Sequence, residues 1–353
     1  MERTRKSEPL STQMRRRVSA LPSQDTYEEY KGHFFGNNIS TGSTLLDLAI
    51  SGGRVRGGGI PAGILVEIFG PSGSGKTVLL SEIAGDIQSK GGEVKFHDPE
   101  ARLNQQFAKM FGLKLKEGDY YQPDTIPEVF QTVRAWKPTG DNVIHGIMAD
   151  SLAALSTDME MTGKEGDKMG MRRPKEFSQE LRQTCRILPK NNFLMVCSNQ
   201  VRINVDGGDW GPKYTTPGGL AMEFYSSLRL QTSIGRKIKK EKKFHGKDIS
   251  RIVGVEIEVT VVKSSVWKPL RSAPVTIIFD YGVDDIKENL QFIKKYSGKT
   301  VYTLGQESLG NALEDAIMKV ERDHREEALR QEVILLWNKI ESAFDSHRKP
   351  KRP

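Results

Sequence analysis

Gly70-Pro71-Ser72-Gly73-Ser74-Gly75-Lys76-Thr77 satisfies the pattern GxxxxGK[ST] and lies between an apolar run, Ile64 to Phe69, and a helix-like run, Val78 to Gln88. A strand, a glycine-rich turn and a helix in that order make a phosphate-binding loop. The glycines let successive backbone N–H groups turn toward an anion, Lys76 adds a point charge for the outer phosphates, and the Thr77 hydroxyl is a ligand for Mg²⁺. The dipole of the following helix points its positive end at the same anion. A purely structural glycine turn would need neither the lysine nor the hydroxyl. The expected ligands are therefore a nucleoside triphosphate, taken as ATP, and Mg²⁺.

Two carboxylates could turn binding into hydrolysis. His97-Asp98-Pro99-Glu100 follows the strand expected at Glu93 to Phe96, and a carboxylate at the carboxyl end of a strand is where a hydrolase places a base for the attacking water. The same residues also read as a helix start, with Asp98 as N-cap, Pro99 as first helical residue and Glu100 in the first turn. The run Asn142 to Ala149 ends in Asp150-Ser151, the position of an acid that holds the water shell of Mg²⁺. His145 within this run reads as a satisfied core histidine. The strand Asn192 to Cys197 ends in Ser198-Asn199-Gln200, which brings neutral amides to the same edge.

These residues must be positioned by an α/β fold. From Ile39 to about Gly282 apolar strands alternate with amphipathic helices, the pattern of a mostly parallel twisted sheet covered on both faces. Further strands are expected at Ser227 to Gln231, Val255 to Val262 and Val275 to Phe279. Residues 1–38 read as a basic N-terminal arm with one helical candidate, Leu10 to Leu21. Residues 283–353 read as a small C-terminal α/β domain, with a hairpin near Lys299 to Thr303, a charged helical stretch from Leu309 to about Phe344 and a basic tail.

The formal net charge of +8 is modest for 353 residues, so its distribution matters more than its sum. Cations concentrate in the arm (Arg15, Arg16, Arg17), in a lysine-rich hairpin from Arg236 to Lys247, and in the tail (Arg348, Lys349, Lys351, Arg352). Any one such run is often only a solvated surface; three on one nucleotide-binding chain point to nucleic acid. No run approaches the ~18 apolar residues of a membrane span, and no signal peptide is visible, so a cytoplasmic protein without membrane attachment is expected. Cys185 and Cys197 fit neither a disulfide framework nor a zinc site.

The order of motifs resembles the RecA family of homologous recombinases from about Ile39 to Tyr302. The resemblance is carried by Ile39-Ser-Thr-Gly-Ser43, Leu45-Leu46-Asp47, the phosphate loop, Asp98-Pro-Glu100, Asp150-Ser151, Ser198-Asn-Gln-Val-Arg202, Thr215-Thr-Pro-Gly-Gly219 and Phe224-Tyr225. It implies a RecA-type ATPase core and a DNA-dependent ATPase that forms homo-oligomeric helical filaments on single-stranded DNA. Pairing with homologous double-stranded DNA and strand exchange in recombination and repair are implied with it. Within the site, the resemblance implies Glu100 as the base, Lys76 on the phosphates, Asp150 as the second-shell magnesium acid and Gln200 as the switch that senses the outer phosphate. Phe107 is implied as the base-stacking aromatic, and Lys263 as one member of a pair that reaches a neighbour's nucleotide.

Two DNA-binding loops are implied as well. The first, about Met159 to Lys175, carries Lys164, Lys168, Met169, Arg172 and Arg173, with Arg182 on the helix that follows. The second, Arg202 to Gly219, carries Arg202, Trp210, Lys213, Tyr214, Gly218 and Gly219. Their mixture of glycine, cations and aromatics suits a strand with neutralised phosphates and stacked bases. The sequence departs from the family pattern at Ser265, where the second trans-acting lysine is expected and Lys268 is a substitute, and in the basic tail. Ser265 keeps open a regulatory filament with weak strand exchange, and a ring helicase on the same core is the other alternative.

Overall fold

The computed structural model describes residues 38–53, 58–140, 142–157, 169–203, 214–215, 220–346 and 348. The arm as far as residue 37, with its helical candidate, and all of the basic tail except Arg348 lie outside these residues.

Nine strands form the central sheet: β1 (Leu65–Gly70), β2 (Val94–His97), β3 (Tyr120–Tyr121), β4 (His145–Ala149), β5 (Phe193–Gln200), β6 (Leu228–Phe244), β7 (Lys247–Ser264), β8 (Ser272–Ile278) and β9 (Gly282–Val283). Their order is β9-β8-β7-β6-β1-β5-β4-β2-β3. The six strands from β6 to β3 run parallel, and β7, β8 and β9 add an antiparallel edge. All seven strands anticipated from apolar runs are present. Two were read far too short: β6 and β7 span 17 and 18 residues. Their outer halves are polar and lack the apolar period on which strand recognition rests.

Parity along each strand divides the core. Val66 and Ile68 of β1 and Leu194 and Val196 of β5 enter one apolar cluster, whereas Leu65, Phe193, Met195 and Cys197 enter the other. Helices α1 (Thr44–Ser51) and α2 (Lys76–Ser89) cover the first face; α4 (Ile126–Ala135), α5 (Met169–Thr184) and α6 (Leu220–Tyr225) cover the second, with α3 (Gln105–Met110) beside α2. A sheet buried on both faces explains why its parallel strands read as continuous apolar runs.

The C-terminal residues form α7 (Asp285–Ser297), a hairpin of Tyr302–Leu304 with Glu307–Gly310, then α8 (Leu313–Arg322) and α9 (Glu326–Ala343). The expected single helical stretch is broken at His324, whose φ of 49° leaves the helical region. Ile286, Leu290, Val320 and Val333 join the same apolar cluster as α1 and α2. Asp285 also receives Thr44 N at 2.6 Å and Thr44 Oγ1 at 2.7 Å. This packing ties the C-terminal helices to the nucleotide core.

Candidate functional site

The site is built where β1, β4 and β5 end. Register aligns Gly70 of β1 with Gln200 of β5, and Ala149 of β4 with Cys197. Every chemistry-bearing residue anticipated at a strand end therefore arrives at one edge of the sheet. The phosphate loop leaves β1 there and enters α2 through Gly75, whose φ of 78° few side chains tolerate. A Cβ on Gly75 would lie 2.4 Å from Ile277 Cδ1, and one on Gly70 would lie 2.4 Å from the Thr232 carbonyl oxygen. The loop thus needs glycine to lie flat on β6 and β8. Above Gly73 the space is open, with nothing within 4 Å of a built Cβ.

Ser74, buried, fixes the base of the loop: its hydroxyl donates to Pro71 O at 2.7 Å and shares a 2.6 Å hydrogen bond with Thr232 Oγ1. Pro71, Ser72 and Gly73 form the exposed crest. Lys76 Nζ curls over the loop and donates to Gly70 O at 3.0 Å and Pro71 O at 2.8 Å. Burial lowers its pKa from the usual lysine value, opposed by the nearby carboxylates of Asp150 and Glu100.

Asp150 and Ser151 divide two tasks. Asp150 accepts from Thr77 Oγ1 at 2.6 Å and from the Ser198 hydroxyl. Ser151 Oγ donates to Glu100 Oε1 at 2.9 Å. Glu100 also meets Gln200 Nε2 at 3.4 Å and pairs with Arg102 at 2.6 Å. Hence Lys76, Thr77, Glu100, Asp150 and Gln200 form one connected constellation. The helix-start alternative for Asp98-Pro99-Glu100 does not hold. Asp98 Oδ2 instead accepts from Leu103 N at 2.7 Å and Tyr120 Oη at 2.8 Å, and α3 starts only at Gln105, capped by Asn104. Phe107 lies on α3, partly buried and edge-on to Phe111.

A buried polar group supports the floor of the site. Glu67 of β1 is fully buried and accepts from Asn199 Nδ2 at 2.9 Å and Arg229 Nε at 2.6 Å. Arg229 pairs in register with Lys263, whose Nζ donates to the Phe224 carbonyl at 3.1 Å and to that of Glu223 at 2.5 Å, closing the C-terminal end of α6. Ser265 Oγ donates to Ser227 O at 3.0 Å. Lys268 pairs with Glu341 and Asp345 at 3.4 and 3.3 Å, so α9 holds the side chain offered as a substitute for the missing lysine.

Of the DNA-loop residues, Lys164, Lys168, Trp210, Lys213, Gly218 and Gly219 lie outside the described residues. The backbone of Met169, Arg172 and Arg173 is in α5, so helix begins earlier than the loop boundary at Lys175 anticipated, and Pro174 sits inside it. Arg182 is exposed on the same helix. The second loop is closed at its base by a two-stranded pair, Arg202 with Thr215 and Ile203 with Tyr214.

Sequence reasoning placed Ser198 and Asn199 at this edge but not their partners, and it missed Thr232, Arg102, Glu67 and Arg229, whose partners are mostly distant in sequence. His145 is the satisfied core residue expected: its Nδ1 accepts from Glu93 N at 3.1 Å. His97 is not satisfied in this way. Its ring stacks on Tyr121, both nitrogens are buried without a hydrogen-bond partner among the described residues, and burial lowers its pKa to about 4. Cys185 and Cys197 are free thiols.

With this geometry in place, residues 32–284 match the model of the RecA N-terminal domain. The chain belongs to the RecA family. Protein RecA of Borrelia hermsii is 35% identical over 284 residues, covering 79% of this chain and 76% of the relative. Protein RecA of Thermus thermophilus is 36% identical over 251 residues, covering 71% and 69%; that of Acholeplasma laidlawii is 32% identical over 316 residues, covering 88% and 87%. A crystal structure of the RadB recombinase aligns with 69% of this chain and 98% of its own, at a TM-score of 0.47 and 19% identity. Membership makes the chain a RecA-family recombinase, a DNA-dependent ATPase of DNA recombination and repair. No helix among the described residues is long and apolar enough to cross a membrane.

Proposed function

We propose that this RecA-family protein assembles as a helical filament on single-stranded DNA, pairs it with a homologous duplex and exchanges strands, with ATP and Mg²⁺ controlling the active state. The observation that carries the reading is the double link at the sheet edge, Thr77 to Asp150 and Ser151 to Glu100, beside a phosphate loop. The Thr77 hydroxyl is a hard oxygen donor of the kind Mg²⁺ takes when phosphates and waters complete its shell, and the Asp150 carboxylate beside it would accept from those waters. Among the described residues no cluster of three or more His, Cys, Asp or Glu side chains could hold a metal alone, in keeping with a cation that arrives with its nucleotide.

In this reading Gly70 to Thr77 cradle the phosphates and Lys76 exchanges the loop carbonyls for outer phosphate oxygens, while Thr77 would ligate the cation and Asp150 would hold its water shell. Bound Mg²⁺ would neutralise phosphate charge. Glu100 accepts the proton of the attacking water, with Ser151 and Arg102 fixing its carboxylate. Gln200, hydrogen-bonded to Glu100, couples the outer phosphate to the loop beginning at Arg202. Phe107 stacks on the base, and the loops around Lys164 to Arg173 and Arg202 to Gly219, with Arg182, bind the strand. The free thiols fit work in a reducing cytoplasm.

Joint-molecule formation between a single-stranded oligonucleotide and a homologous supercoiled duplex tests the reading, with ATP, with ADP and with Lys76→Ala. Product only with ATP and intact Lys76 supports it. DNA-stimulated turnover without product would favour the second reading, a regulatory filament. That reading draws on the engagement of Ser265 with the Ser227 carbonyl and of Lys268 with α9, which leave Lys263 without its expected companion. Rings in place of helical filaments by electron microscopy would favour a helicase.

A further inference from the structure

Beyond the sheet, β6 and β7 continue as a two-stranded ribbon. β8 pairs with β7 only from Gly254 to Thr260, and β1 pairs with β6 only from Leu228 to Gln231. Six cross-strand pairs therefore stand free, from Lys239 with Ile252 to Phe244 with Lys247. At ~3.4 Å per residue the ribbon projects about 20 Å. His245 and Gly246, at φ 48° and 77°, close it with the two positive φ values of a tight hairpin turn.

Charge is sorted between the two faces of this ribbon. Residues directly opposite share a face, so Lys240, Lys242 and Phe244 stand with Arg251, Ile249 and Lys247: four cations and no acid. The other face carries Lys239, Glu241 and Lys243 with Ile252, Ser250 and Asp248: two cations balanced by two acids. Lys240 and Arg251 are directly opposite, an arrangement that costs stability. The four cations are exposed, and Lys242, Lys247 and Arg251 form no ion pair among the described residues. Protection of bare strand edges explains charge on a ribbon. It does not explain like charges collected on one face against their repulsion.

We propose that the face formed by Lys240, Lys242, Lys247 and Arg251 is a docking surface for the phosphate backbone of double-stranded DNA. Lys240 and Lys242, two apart on β6, repeat at about 6.8 Å, and Lys247 and Arg251, four apart on β7, at about 13.6 Å, so two rows of cations face one polyanion. A two-stranded ribbon is also narrow enough for the ~12 Å major groove. A single-stranded ligand is less suited: stacking platforms need successive aromatics, and this face offers only Phe244, already edge-on to His245. The contacts are to backbone, so binding is independent of sequence and strongly dependent on salt. The inference rests on duplex DNA being a substrate of this protein.

The test compares two charge-matched variants of the full chain, Lys242→Gln/Lys247→Gln on the cationic face and Lys239→Gln/Lys243→Gln on the balanced face. Each is titrated with a short duplex of arbitrary sequence over a range of salt. The cationic-face variant should flatten the slope of log affinity against log salt by about 1.8, roughly 0.9 for each lost phosphate contact. The balanced-face variant should change it by well under half as much. Equal changes, or none, would overturn the assignment. Loss of self-association by the cationic-face variant in sedimentation, with its duplex slope unchanged, would give this face to a second copy of the chain instead. ATP turnover by the unaltered protein with single-stranded DNA reports separately on the recombinase reading.

Discussion

Thr77 Oγ1 and Asp150 Oδ2 are 2.6 Å apart although 73 residues separate them in the chain. That hydrogen bond joins the end of the phosphate loop to the end of β4, and Ser198 of β5 holds the other oxygen of the same carboxylate. Asp150→Asn keeps the size and a hydrogen-bonding partner for Thr77 while removing the charge. ATP turnover with single-stranded DNA should fall by about 10²- to 10³-fold, as for loss of one aligned electrostatic group, and the magnesium requirement should rise. Lys76→Ala should lose at least as much, with nucleotide binding weakened. An Asp150→Asn protein with unaltered turnover and magnesium dependence would remove Asp150 from the cation site.

Glu100 is held by Ser151 Oγ at 2.9 Å and by Arg102 at 2.6 Å, and in the proposed function it is the base for the attacking water. Glu100→Gln should preserve nucleotide binding and assembly on DNA and lower turnover by about 10²- to 10⁴-fold, the range for a lost general base. Filtration or fluorescence binding beside steady-state hydrolysis separates the two effects. Normal hydrolysis would assign the base elsewhere.

The legibility of the site follows from how its residues are arranged. Asp150 and Gln200 close apolar runs and Glu100 stands three residues past the shorter β2, so the strand ends alone brought them to one edge. Asp98 was ambiguous because an N-cap and a strand-end acid have the same sequence signature. The decision came from Tyr120, a neighbour only through the pairing of β2 with β3. Thr232 and Arg229 were invisible for the same reason: Ser74 and Glu67 meet them across 158 and 162 residues. The free ribbon was legible as a lysine-rich hairpin but not as a continuation of β6 and β7, because its two faces are both polar and no apolar period marks its length.

Arg229 makes Glu67 tolerable in the core. Glu67 is fully buried and its charge is met by one guanidinium and one amide, with the same guanidinium 4.6 Å from the Phe69 ring centroid. Arg229→Ala strands the carboxylate and should cost about 3–5 kcal/mol of folding stability. Arg229→Lys keeps the charge without the planar fork and should lose less. Denaturant unfolding of the three proteins measures this, and a loss below about 1 kcal/mol for the alanine variant would show that the pair is not what balances Glu67.

Glu82 gives the protein a stability that depends on pH near neutrality. It lies on α2 against Gly42 and Gly282, accepting from Val283 N at 3.0 Å, and burial with the charges of Asp285 and Asp86 raises its pKa to about 7. The unfolded chain releases this proton near 4.5, so the folded state binds the extra proton between those values. Its stabilisation is fully present below 4.5 and is lost as pH rises through about 7. His97 acts in the opposite sense, since its folded pKa of about 4 lies below the unfolded 6.5: the unfolded imidazole is half protonated at pH 6.5, so His97 still adds about 0.4 kcal/mol of stability as pH rises from there to 8. Between about pH 6.5 and 8 Glu82 should lower stability by about 0.8 kcal/mol, roughly half of which His97 offsets, so thermal unfolding of the parent protein beside Glu82→Gln reads the Glu82 part. Glu82→Gln should remove that part, because the amide keeps an acceptor for Val283 and carries no proton to lose. An unchanged slope in the glutamine variant would place the titration on another group.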